Sequence, residues 1–201
     1  MLRRAFVLMA LGLTLWPQAT LAQSPTRDPA KVPAGAYVLD TRQSSLAIRI
    51  PLMGGLSRYT MRFNTLSGSF DYDPASWQST QVEITVDPRA VEAQNTMFNR
   101  AIVGYFEADK YPVIRFYSTA LVANANGRGR LSGDLTFHGV TRPVTLDVQF
   151  NGFGPDPQGG GARMEFSGAG TIKRSDFGVI AGRLFADDRI DLIFEVEFAR
   201  K

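Results

Sequence analysis

One stretch of sequence decides the fold class: Ile190-Asp191-Leu192-Ile193-Phe194-Glu195-Val196-Glu197-Phe198. Its apolar residues at 190, 192, 194, 196 and 198 recur with a period of two, the spacing of side chains that share one face of a β-strand. Asp191, Glu195 and Glu197 fall on the opposite face, where water can solvate them. The stretch therefore predicts a strand with one buried and one exposed face.

The same alternation recurs along the chain from Tyr37 onward. It is found at residues 46–50, 59–63, 66–72, 82–86, 114–116, 131–137, 144–150 and 164–166. Turn-forming pairs such as Asn126-Gly127 and His138-Gly139 separate these segments. Eight or nine strands joined by short turns, without regular βαβ alternation, predict an all-β fold, either an antiparallel sandwich or a barrel.

One segment, residues 92–109, departs from this period. Met97, Ala101 and Ile102 recur there at helical spacing, and Asn95 or Thr96 can cap the start of a helix. The sequence therefore predicts one short helix inserted between strands.

The N-terminus has the pattern of a signal peptide over residues 1–22. Arg3 and Arg4 precede an apolar run at residues 5–16, and Thr20-Leu21-Ala22 is a small-residue cleavage site. Residues 23–36 contain three prolines and no periodicity, which predicts a flexible lead-in. We therefore expect an exported, periplasmic protein whose one domain, residues 37–199, is the barrel.

Composition excludes several classes of site. The chain has no cysteine and one histidine, which excludes disulfides, thiolate chemistry and a multi-histidine metal centre. No nucleophile motif or dinucleotide-binding fingerprint is present, so we expect no catalytic residue, cofactor or metal. Arg3 and Arg4 supply two of the three net positive charges, and the remaining charges are interleaved in sign. No nucleic-acid partner is predicted.

The interior of the barrel is the informative part. Eight strands enclose a space that is either filled by side chains or wide enough for one ligand. The side chains that alternation places inside are aliphatic and aromatic, which suits a long apolar molecule. Twenty buried carbons give about 16 kcal/mol gross at about 0.8 kcal/mol each, against roughly 4 to 15 kcal/mol for association. Gly133, Gly168 and Gly170 fall at inward positions, where they either enlarge the interior or relieve curvature.

Several segments together resemble the YceI family of exported, lipid-binding, lipocalin-like barrels. They are Tyr37-Val38-Leu39-Asp40, Leu66-Ser67-Gly68-Ser69-Phe70, Tyr105-Phe106-Glu107-Ala108-Asp109-Lys110-Tyr111-Pro112, Leu135-Thr136-Phe137-His138-Gly139-Val140-Thr141-Arg142-Pro143 and Arg174-Ser175-Asp176-Phe177-Gly178. The resemblance implies an eight-stranded antiparallel barrel with a short helical insertion and no catalytic residues. It also implies an apolar channel that holds a polyisoprenoid, such as an isoprenoid quinone or a polyprenyl phosphate. Gln43 and Pro51-Leu52-Met53-Gly54-Gly55 stand where the family often carries histidines.

The candidate site residues follow from these patterns. The expected cavity lining is Phe70, Phe106, Phe116, Phe137, Leu146, Phe150, Phe166 and Phe194. Arg174 is a candidate for contact with a ligand head group, because a guanidinium suits bidentate acceptors. Alternatively, Arg174 pairs with Asp176 and fixes its own loop.

Two other functions remain open at this point. An outer-membrane barrel also alternates over eight strands, although we expect no stable membrane insertion after signal removal. A cavity enzyme would need an acid or base, for which the candidates are Tyr59, Tyr105, Tyr111, Tyr117, Glu165 and Asp176. The sequence leaves a homodimer open.

Overall fold

A computed structural model describes residues 25–124, 126–156 and 161–201. The predicted signal peptide lies outside these residues. The strands are β1 Gly35–Leu39, β2 Ser45–Leu52, β3 Ser57–Phe63, β4 Leu66–Tyr72, β5 Glu83–Val86, β6 Val91–Glu92, β7 Ile114–Ala123, β8 Arg128–Phe137, β9 Val140–Pro155, β10 Ala162–Lys173 and β11 Arg189–Arg200. The α-helix among the described residues, α1, is Thr96–Tyr105.

The strands form a closed barrel with eight strand positions. The order is β1-β4-β5-β7-β8-β9-β10-β11, and β11 pairs back with β1 at Tyr37↔Arg200, all antiparallel. At three of these positions two short strands lie end to end: β1 and β2 both pair with β11, β3 continues β4, and β6 continues β5. The predicted eight-stranded antiparallel barrel with one helix is confirmed.

The outer face of the walls is polar. On β8 the outward residues include Arg130, Ser132 and Asp134, and on β11 Glu195 and Glu197 face outward. A membrane barrel instead presents an apolar band outward. The polar outer face of this barrel therefore differs from the apolar outer face expected of an outer-membrane barrel. Within the described ranges, no helix is long and apolar enough to cross a bilayer.

Helix α1 closes one end of the barrel. Its N-cap is Asn95, whose side chain accepts a hydrogen bond from the Phe98 amide at 3.1 Å. The Phe106 ring, just after the helix, lies between the rings of Phe63 and Phe137, with centroid distances of 6.4 and 5.0 Å. These contacts fix the segment after the helix against β3 and β8.

The structure corrects the flexible lead-in predicted over residues 23–36. From Pro25 onward the described residues pack against the barrel: the Thr26 and Phe153 backbones exchange two hydrogen bonds of 2.8 Å. Val32 is buried, and β1 already begins at Gly35. The segment orders without periodicity because it covers the apolar end of the barrel opposite α1.

A buried ion cluster on the outer wall fixes the break between β1 and β2. The Arg163 guanidinium of β10 donates to Asp40, Asp156 and Glu197, at 2.6 Å for each of the first two. Hydrogen bonds from Arg42 and Arg163 hold the pKa of Asp40 well below its ordinary value. Burial raises the pKa of Glu197, and Arg163 partly opposes that change. The Arg163 guanidinium thus links Asp40, near the start of the domain's sequence, to Glu197, near its end.

Candidate ligand-binding cavity

The barrel encloses a cavity of about 240 Å³. Close-packed protein interiors contain few voids larger than a water molecule, which needs roughly 10–15 Å³ by the same measure. The space is therefore too large to be a packing defect and has room for a ligand.

The cavity wall contains no charged side chain among the residues that the structure describes. Its members come from eight of the eleven strands and from the segments around them, and they are almost all aliphatic or aromatic. Tyr72, Trp77 and Thr80 are the wall residues whose side chains carry an N–H or O–H group. Such a wall can exclude water and bury a hydrocarbon, but it offers no counter-ion to a charged group.

All eight predicted lining residues lie on this wall. They are Phe70 of β4, Phe106 after α1, Phe116 of β7, Phe137 of β8, Leu146 and Phe150 of β9, Phe166 of β10 and Phe194 of β11. Alternation succeeded for the strand residues because the period of two fixes which face each one occupies. Their contact with a ligand remains a prediction.

The inward glycines let large side chains lie flat against the wall. A Cβ added at Gly168 would stand 2.2 Å from the Phe194 ring, and one at Gly133 would stand 2.6 Å from the Phe116 ring. At Gly170 the same added atom would meet the Leu146 side chain at 2.5 Å. The space that each glycine leaves is thus filled by a neighbouring side chain, and the middle of the barrel stays open as a result.

The polar groups of the wall lie toward the end opposite α1, and the alternating pattern does not predict two of them, Trp77 and Thr80. Burial raises the pKa of Tyr72 to about 12, and its hydroxyl donates to the Pro29 carbonyl at 2.8 Å. Trp77 lies in a short 3₁₀ turn, which Thr80 follows, so no period of two marks either residue. Among the described residues neither side chain makes a hydrogen bond to protein.

A match that covers most of the chain identifies the protein family. The model of the YceI-like domain matches residues 37–198, which is most of the sequence. The protein belongs to the YceI-like family.

Curated relatives align with the YceI-like chain over nearly their full length. A UPF0312 protein of Vibrio cholerae is 33% identical over 171 residues, covering 84% of this chain and 89% of the relative. A UPF0312 protein of Shewanella denitrificans is 31% identical over 172 residues, covering 83% and 90%.

Solved structures share the YceI-like fold. The YceI protein of Campylobacter jejuni is 29% identical with a TM-score of 0.63, over 73% of this chain and 86% of that one. BcnA of Burkholderia cenocepacia is 24% identical with a TM-score of 0.68, over 79% and 98%. A polyisoprenoid binding domain from Saccharophagus degradans is 19% identical with a TM-score of 0.60, over 82% and 98%. At these low identities, the similarity to BcnA and to the Saccharophagus degradans domain shows a common fold.

Arg174 has a different place in this YceI-like barrel from the one predicted. Its buried guanidinium donates to the carbonyls of Val179, Ala181, Ala186 and Asp187, and it does not line the cavity. The geometry therefore supports neither a head-group contact nor the alternative pairing with Asp176. A loop of irregular backbone has carbonyls without strand partners, and one guanidinium with five donors satisfies several of them at once.

The residues considered for acid–base chemistry do not meet inside the YceI-like barrel. None of the six is on the cavity wall: Tyr59, Tyr105, Tyr111, Tyr117, Glu165 and Asp176. Glu165, for example, faces outward on β10, opposite Glu197. The cavity wall thus presents no acid–base pair among the described residues.

Proposed function

We propose that the barrel interior binds one long apolar molecule, a polyisoprenoid chain with an uncharged head group, and that the protein is a periplasmic carrier for it. The observation that carries the proposal is a ligand-sized cavity whose described wall has no charged side chain. Binding then depends on the burial of hydrocarbon, and no catalytic role is needed. The polyisoprenoid binding domain of Saccharophagus degradans, which shares the fold, supports this choice of chain. The predicted signal peptide supports the compartment.

The wall distinguishes between the two head groups expected from sequence. A phosphate buried without a cation loses its hydration with no compensation, which is costly in an apolar site. The Trp77 indole N–H and the Thr80 hydroxyl can each donate to a neutral oxygen such as that of an alcohol or quinone. A neutral isoprenoid therefore fits better than a polyprenyl phosphate.

The first experiment identifies the natural ligand. Protein purified from a bacterial periplasm without detergent is analysed by native mass spectrometry and by organic extraction. We expect one neutral isoprenoid per chain. Protein that is soluble but empty, and whose melting temperature does not rise with added isoprenoids, would refute the proposal. Recovery from the cytoplasmic fraction alone would refute the compartment.

A matched pair of ligands tests the head group. Geranylgeraniol and geranylgeranyl diphosphate share one chain and differ only in charge. We expect the alcohol to bind to delipidated protein at least about tenfold more tightly, since a tenfold difference needs only about 1.4 kcal/mol. Tighter binding of the diphosphate would contradict the neutral head.

A matched pair of variants tests the cavity itself. Leu121 lines the cavity, whereas its neighbour Val122 is 75% exposed on the outer face of β7. Leu121→Trp adds a bulky ring to the lumen, and Val122→Trp adds the same ring outside. We expect the first variant to lose geranylgeraniol binding and the second to keep it. Equal binding by both would place the ligand elsewhere.

A further inference from the structure

The end of the barrel that α1 closes carries an exposed apolar surface. Two segments form it: residues 52–58 at the tip of the β2–β3 hairpin and residues 180–186 in the loop before β11. We name these two segments the tip surface. Leu56 is 84% exposed and Leu184 is 86% exposed, and Met53 and Phe185 are also largely open to solvent. A cluster of large apolar side chains in water on a polar barrel indicates a contact surface.

Hydrogen bonds hold the two segments of the tip surface together. The Met53 amide donates to the Phe185 carbonyl at 3.0 Å. Below the loop, the buried Arg174 guanidinium donates to the carbonyls of Ala181 and Ala186. The apolar side chains are therefore displayed on ordered backbone, so burying them requires little further ordering.

The charge of the tip surface has one sign. Its fourteen residues include Arg58 and Arg183 and no Asp or Glu. Arg58 lies across from Pro51 on β2. Both arginines are exposed, and neither is in an ion pair within the part of the chain that the structure describes. Asp191 is the acidic residue that feels the charge of Arg58: a hydrogen bond from Arg189 lowers the pKa of Asp191, and the charge of Arg58 helps to lower it. Two cations thus flank an apolar tip.

We propose that the tip surface docks the protein on a lipid bilayer that contains anionic phospholipids. Projecting apolar side chains enter the interface between head groups and acyl chains, and arginines beside them attract the anionic surface. A stable protein interface takes about 20–30 residues from each partner, more than the tip surface provides. The proposal goes beyond the carrier function and stands whatever the cavity holds.

Vesicle co-sedimentation tests the docking. The full-length mature protein is mixed with vesicles of phosphatidylcholine alone, or of phosphatidylcholine with about one third phosphatidylglycerol. We expect binding to the anionic vesicles that weakens as salt rises, because an attraction between exposed charges is screened. Leu56→Ser/Leu184→Ser should lower the affinity by at least about tenfold. Arg58→Gln/Arg183→Gln should remove the preference for anionic vesicles.

Two controls make the result specific. Val122→Ser removes an apolar side chain that is 75% exposed at the other end of the barrel and should bind vesicles like the parent. The fluorescence of Leu56→Trp should shift to the blue on anionic vesicles and be quenched by brominated acyl chains. The circular dichroism spectrum and the extracted ligand should be the same for the parent and the serine variants, which separates docking from the carrier function.

Three outcomes would overturn the proposal. The first is a parent protein that binds neither vesicle, and the second is a Leu56→Ser/Leu184→Ser variant that binds as well as the parent. The third is a dimer in sedimentation velocity that this variant dissociates, which would make the tip surface an interface between copies of the chain. A protein that docks but carries no lipid would refute only the carrier function.

Discussion

The contact between Gly168 and Phe194 gives a sharp test of how the cavity is kept open. The two residues are paired across β10 and β11, and the Phe194 ring covers the glycine. A Cβ at position 168 would lie 2.2 Å from that ring and 2.5 Å from the Asp147 carbonyl oxygen, where ordinary contacts begin at 3.4 Å. The ring would have to move by about 1 Å, and the carbonyl belongs to a paired strand that cannot easily give way.

Gly168→Ala should therefore destabilise the protein. Extra methyl groups in a packed site cost about 1–3 kcal/mol. For a protein of this size, each kcal/mol lowers the melting temperature by roughly 2–4 °C. The assay is urea unfolding followed by circular dichroism, on delipidated protein, because a bound ligand would raise the apparent stability.

A control and a second substitution localise the effect. Gly104 lies in α1, where an added Cβ meets nothing within 4 Å. Gly104→Ala should thus stabilise the protein by about 0.5–1 kcal/mol, since alanine is the better helix former. In Gly168→Ala/Phe194→Leu the smaller side chain should recover part of the loss, with a coupling of about 0.5 kcal/mol or more. Unchanged stability of Gly168→Ala, or strict additivity with Phe194→Leu, would refute the reasoning.

Three further predictions concern groups outside the cavity. The pKa of Asp40 is lowered in the folded state, so its stabilising contribution is present above its ordinary pKa and is lost as the pH falls below about 4; the melting temperature should fall less between pH 7 and pH 3 in Asp40→Asn than in the parent, and an equal fall would contradict this. Arg174→Met should lower the free energy of unfolding by about 3 kcal/mol or more, because several buried carbonyls lose a charged donor; chemical denaturation measures it, and a loss below about 1 kcal/mol would count against that role. Tyr59 has a buried hydroxyl without a hydrogen-bond partner among the described residues; Tyr59→Phe should leave the melting temperature unchanged or raise it, and a clear decrease would reveal a partner.

The strand faces could be predicted from sequence because side-chain direction in a strand depends only on residue parity. Phe116, Phe137 and Phe194 therefore reach the wall as expected. The sequence does not show that three positions in the barrel each hold two short strands. The alternation of β3 and β4 is the same whether they occupy one position or two. The two-residue β6 is too short for any periodicity to be recognised.

The features that depend on distant, irregular backbone could not be predicted. The sequence suggests a ligand or Asp176 as the partner of Arg174, but its acceptors are loop carbonyls 5 to 13 residues away, which no side-chain pattern encodes. Trp77 and Thr80 reach the wall from a turn and its end rather than from a strand. Pro29 does so from a segment predicted to be flexible, because the aromatic side chains beneath it need a cover.

The pairing of β1 with β11 also sets the order of events when the chain folds. Tyr37 and Arg200 meet only after the whole domain has been synthesised, so a chain growing from its N-terminus cannot complete this pair early. Contacts between residues so far apart in sequence carry a large loop-closure entropy and are associated with folding in milliseconds to seconds. Until β11 arrives, β1, β2 and β10 each keep an unpaired edge that can join another chain. The last twelve-residue strand therefore ends the aggregation-prone stage of folding, and the lifetime of that stage is set by when β11 becomes available.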